Sequence, residues 1–96
     1  MITFRISQVG KFRNPEARIS ITKGLSQRQT AAAVYQVAAQ VSLALEACKC
    51  DAALCVDADG ERLWLEYAEG KGLGYVTASE MLDRAIRAAG CQAWRE

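Results

Sequence analysis

Residues 2 to 7 alternate strictly, with Ile2, Phe4 and Ile6 on one side and Thr3, Arg5 and Ser7 on the other. That period of two marks a strand with one face against a core. Ala17, Ile19 and Ile21 repeat it, with Arg18, Ser20 and Thr22 opposite. Gly10 to Glu16 lies between them, a basic connection holding Lys11, Arg13 and the turn-forming pair Asn14-Pro15. The pattern predicts a hairpin with a long tip.

After Gly24 the period lengthens. Ser26 and Gln29 have the spacing of a capping box, in which each side chain satisfies a backbone amide of the other. Val34, Val37, Ala38, Val41, Leu45 and Cys48 then recur at steps of three or four, one apolar stripe along a helix. Ala32, Tyr35, Ala39 and Leu43 form a second, less polar flank, suited to contact with the other helix or another subunit.

From Ala52 the alternation returns. Ala52, Leu54 and Val56 are followed by Leu63, Leu65 and Tyr67, joined through Asp57-Ala58-Asp59-Gly60, an ending suited to a tight turn. A glycine-rich connector from Glu69 to Gly74 leads to Thr77 and Glu80, a second capping-box spacing, ahead of Leu82, Ala85, Ile86 and Ala89 at helical intervals. Gly90 stands where a left-handed helix cap belongs, and Cys91 to Glu96 reads as a tail whose Trp94 docks on the core. The order hairpin, helix, hairpin, helix predicts a single α+β domain over residues 1–96. It would have two ββα units, a sheet of about four strands and both helices on one face.

Length and composition fit that picture. A chain of 96 residues, 51% hydrophobic and 24% charged, can bury a core without help from a metal or disulfide. The longest uncharged run, Gln29 to Leu45, spans 17 residues and carries Gln36 and Gln40, so no membrane span is expected. With Arg5 so early and no apolar leader pattern, the expected location is cytoplasmic. There the 4 cysteines would stay reduced. The net charge of +1 hides an asymmetry: residues 1–50 carry seven Lys/Arg against two Asp/Glu, residues 51–96 five against nine. The halves are therefore +5 and −4, a polarity that steers anionic or protein partners to one face.

The count of His is 0, which rules out a Ser-His-Asp triad, a Cys-His dyad and any histidine-ligated zinc. Cys48, Cys50, Cys55 and Cys91 could in principle close a thiolate zinc site. Their spread over helix stripe, loop and strand instead suggests buried apolar thiols plus one exposed one, Cys50. Asp57, Asp59, Gly60 and Glu66 fall at calcium-loop spacing but lack the first ligand, so they read as a hairpin turn. Gly70-Lys71-Gly72-Leu73-Gly74 could cradle a phosphate, yet its lysine lies too far ahead of Thr77, and a linker is expected. The carboxylates read as solvated surface. No metal and no cofactor are expected.

Several segments resemble the Prp ribosomal-processing cysteine proteases, which trim an extension from a large-subunit ribosomal protein. Met1 to Ser7 resembles the family's first strand, Ala32-Ala33-Val34-Tyr35 through Leu45-Glu46 its Ala-rich first helix, and Asp59 to Leu63 its second hairpin. The family carries a Gly-His-Ala segment after the second strand and a cysteine just before the Ala-Ala-Val of the helix. Here those places read Thr22-Lys23-Gly24 and Ala31, so the resemblance implies the fold without the reaction.

The leading expectation is a non-catalytic interaction protein, of bacterial or phage origin, that occupies a surface on a larger protein partner. Lys11, Phe12 and Arg13 at the hairpin tip are its candidate binding residues, and Tyr35 and Leu43 its candidate homodimer surface. One alternative is a nucleic-acid binder in which the basic tip grips the backbone and Phe12 stacks on a base. A second is a degenerate Prp-like homologue.

Overall fold

The computed structural model describes residues 2–9, 14–20, 25–57, 61–67 and 73–95. Strand β1 (Thr3–Val9) pairs antiparallel with β2 (Asn14–Ser20), Phe4 lying opposite Ile19 and Ile6 opposite Ala17. Helix α1 (Gln27–Ala47) follows, then the antiparallel pair β3 (Ala52–Val56) and β4 (Arg62–Tyr67), helix α2 (Tyr75–Ala88) and a last strand, β5 (Gln92–Arg95). The sheet order is β3-β4-β2-β1-β5, with β5 parallel to β1 and the other pairs antiparallel.

The α+β class stands, but the sheet has five strands, not four. The expected tail is β5, laid along the open edge of β1 with Phe4 beside Ala93 and Arg5 beside Trp94. Four residues of mixed polarity are too short a run for alternation to betray, and the free backbone groups of an edge strand recruit them. β2 also begins earlier than expected, at Asn14-Pro15, the pair read as a turn. Proline fits there because β2–β4 pairing stops at Glu16, so no partner requires the missing amide.

Both helices cover one face of the sheet. Phe4, Ile6, Ala17, Leu63 and Leu65 form one cluster with Val34, Val37, Val41 and Leu45 of α1 and Leu82, Ala85 and Ile86 of α2. The α1 stripe is as expected except at its end, where Cys48 is exposed.

The Ser26–Gln29 capping box is present, Ser26 Oγ accepting from the Gln29 amide at 3.1 Å and Gln29 Oε1 from the Ser26 amide at 2.9 Å. The Thr77–Glu80 box is not. α2 starts a turn earlier, at Tyr75, with Gly74 as an N-cap that makes no side-chain cap bond, and the Ala78 amide donates to the Gly74 carbonyl at 2.9 Å. An extended Gly74 followed by an available carbonyl suffices to open the helix, which leaves Thr77 inside it.

The helix exits repeat one device. After α1, the Lys49 amide donates to the Glu46 carbonyl and the Cys50 amide to that of Leu45; after α2, Gly90 donates to Arg87 and Cys91 to Ile86. These are paired Schellman bonds around a left-handed residue. Gly90, at φ 81°, adopts that conformation freely, whereas Lys49, at φ 54°, carries a β-carbon that disfavours it. Lys49→Gly should therefore raise stability by about 0.5–1 kcal/mol. Gly90→Ala, whose added carbon would meet no atom within 4 Å, should lower it by about 1 kcal/mol through backbone strain alone. Urea unfolding of the two variants checks both signs.

Tyr67 packs against the core from the end of β4, and its hydroxyl is buried without a hydrogen-bond partner among the described residues. Burial, then the nearby Cys50 and Cys48 thiols, push its pKa up to about 12. Since its unfolded value lies near 10, the folded state keeps the phenol proton longer, and stability falls as pH rises from about 10 toward 12. Tyr67→Phe should be neutral or stabilising by up to about 1 kcal/mol at pH 7, because it removes an unsatisfied group. It should also flatten that alkaline decline in thermal melts.

Candidate binding surfaces

Alternation gives the sheet a second face, turned away from the helices. Because Phe4, Ile6 and Ala17 point to the core, Arg5, Ser7, Glu16 and Arg18 point outward. Register then lines these residues up across the strands. Arg62 of β4 stands opposite Arg18 of β2, Arg18 opposite Arg5 of β1, and Arg5 beside Trp94 of β5. The neighbouring row runs Cys55, Trp64, Glu16, Ser7.

Like charges directly opposite one another destabilise a sheet, so this arginine row needs anions. Glu16, only 8% exposed, supplies one: the Arg18 Nε–H donates to its Oε1 at 2.9 Å, and an Arg62 terminal nitrogen lies 3.7 Å from the same oxygen. Asp57 supplies another, accepting from the Arg62 Nε–H at 3.3 Å and from the Glu61 amide at 2.9 Å. Partial desolvation raises the Asp57 pKa, but the Glu61 amide and Arg62 outweigh it and hold the carboxyl below its usual range.

At the other end of the row the Arg5 guanidinium lies over the Trp94 ring, 4.9 Å from its centroid. The expectation that Trp94 docks on the core is therefore wrong: the side chain is 52% exposed on the outer face. Parallel pairing with β1 put it there by matching its register to Arg5 and not to Phe4. The clamp on β5 comes from α2, where Asp83 pairs with Arg87 and, at 3.3 Å, with Arg95, while Arg87 donates to the Ala93 carbonyl. Trp64 is half-buried and donates its indole N–H to Glu66 at 3.1 Å.

The helix side presents a different surface. Tyr35 is 78% exposed and Leu43 59% exposed, both on the flank of α1 opposite its core stripe. A groove of about 630 Å³ runs between the helices, lined by Leu43, Ala44 and Ala47 from α1 and Met81, Ala85 and Ala88 from α2. Leu43 reaches this groove, whereas Tyr35, two turns earlier, is not among its lining.

Lys11, Phe12 and Arg13 lie outside the described residues, as do Asp59 and Gly60 of the calcium-like spacing and Gly70-Lys71-Gly72 of the phosphate-like one. Asp57 and Glu66 are engaged by Arg62 and Trp64. Among the described residues there is no group of three or more Cys, Asp or Glu placed to hold a metal. Among the described residues no helix is long and apolar enough to cross a membrane. No family model matches the chain, nor does any curated protein or solved structure.

The exposed thiol is Cys48, and the expectation for Cys50 is corrected. Cys48 caps α1, where the chain turns away from the core, and its Sγ–H donates to the Leu45 carbonyl at 3.4 Å. The Schellman turn folds Cys50 back onto the core. Burial, reinforced by Cys48 and Asp51, pushes the Cys50 thiol up. Burial also raises Cys55, beside Glu66, and Cys91. Raised thiols are poor nucleophiles at neutral pH. Brief iodoacetamide labelling at pH 8 should modify Cys48 before Cys50, Cys55 and Cys91, as read by peptide mass mapping.

Proposed function

We propose that this protein acts by binding and not by catalysis. In this reading it occupies a surface on a larger protein partner, and two copies meet through the outer flank of α1. The observation that carries it is the exposure of Tyr35 and Leu43, with Ala39 between them, on the side of α1 that the fold leaves uncovered. The chemistry available agrees. The chain has 0 histidines, and the shifted thiols at Cys50, Cys55 and Cys91 are all moved away from reactivity. The resemblance to Prp proteases fits the same reading, since the place of the family's cysteine is the half-buried methyl of Ala31 on the first turns of α1.

Magnitudes set what such a dimer requires. Burying a Tyr and a Leu from each copy contributes about 6–12 kcal/mol in all, at about 1.5–3 kcal/mol per side chain. Association costs about 4–15 kcal/mol in lost freedom. The pair alone supports a weak dimer, so the neighbouring groove walls at Ala44 and Met81 must join the contact. Light scattering over a concentration series should show a dimer for the native chain and a monomer for Tyr35→Ser with Leu43→Ser. An unchanged mass would remove this flank from the proposal.

A further inference from the structure

We infer that the outer face of the sheet is a binding platform for single-stranded nucleic acid, distinct from the helix-side surface. The cross-strand row Arg62–Arg18–Arg5 would meet the phosphates, and Trp94 and Trp64 would stack on bases. Three features point to this ligand.

The first is the row itself. Neighbouring positions on adjacent strands lie about 5 Å apart, so three arginine positions stand side by side in one cross-strand row. Arg18 and Arg62 share Glu16, Arg62 also meets Asp57, and Glu66 lies a row further on, held by Trp64. A guanidinium carries five N–H donors, more than one shared carboxylate can take, so Glu16 anchors Arg18 while outer donors are available for phosphate.

The second is the pair of indoles on the same face. Trp64 and Trp94 are three strand spacings and one row apart, about 15 Å, the reach of a short run of nucleotides. An acidic peptide or a simple anion would use the arginines but gain nothing from two aromatic platforms, whereas every base has a face to stack. The third is fixation. Arg5 braces the Trp94 ring and Glu66 accepts from the Trp64 indole, so less side-chain freedom remains to be lost on binding.

The test is fluorescence anisotropy with a labelled oligothymidylate of about 12 nucleotides, near the site sizes of comparable platforms. Binding should weaken by about tenfold between about 50 and 200 mM salt, as a few phosphate contacts imply. Trp94→Ala and Trp64→Ala, each confirmed folded by circular dichroism, should each weaken it by about 5- to 150-fold. Trp94→Phe should restore most of the loss, and Arg18→Gln should lower the salt slope by about 0.7. Failure of the native chain to bind, equal competition by polyglutamate, or full affinity in both Ala variants would overturn the assignment. So would loss of binding in Lys11→Ala with Arg13→Ala while the Trp variants bind normally, since the hairpin tip would then be the site. Tyr35→Ser with Leu43→Ser should lower the plateau anisotropy, as a smaller complex does, but leave the dissociation constant per chain unchanged, which separates this face from the helix-side proposal.

Discussion

Phe4 and Ile6 are fully buried where β1 lies under α2, in one cluster with the stripe of α1, and most of the molecule's surface chemistry follows from that burial. Side chains on a strand alternate, so two inward residues on β1 force Arg5 outward, and pairing carries the choice to β2, β4 and β5. A slip of one residue would bring Arg5 and Arg18 into the core, at a desolvation cost no small domain could offset. The hydrophobic seal on one side therefore locks the arginine row on the other.

That row shows how a sheet tolerates like charges. Glu16 is nearly buried and is shared by two guanidiniums, and Asp57 also pairs with Arg62. Pairs whose guanidinium stays half in solvent contribute little to stability on average. Their effect here is orientation: the carboxylates decide where the cationic groups stand, and the aromatic ring of Trp94 does the same for Arg5.

The two helix exits show one backbone solution filled by different residues. Lys49 and Gly90 occupy the same left-handed position, and each is followed by a cysteine that turns back toward the core. The repeat divides the thiols by environment, because a cysteine before the turn stays in solvent and one after it becomes part-buried.

Much of the fold was legible along the chain. The alternation in β1 and β4, the stripe of α1, the Ser26–Gln29 cap and the Gly90 exit are local patterns, set by covalent geometry and the periods of strand and helix. The fifth strand and the position of Trp94 were not, because each depends on what lies beside it in space. β5 exists only because β1 offers an open edge, and Trp94 faces outward only because that edge sets its register. The arginines were visible one by one at 5, 18 and 62, but their meeting in one row is a product of strand order. Sequence determined which face each residue takes within its own element, since that depends on period alone. Tertiary structure decided which elements became neighbours, since pairing across distant segments depends on edges and register that no local pattern contains.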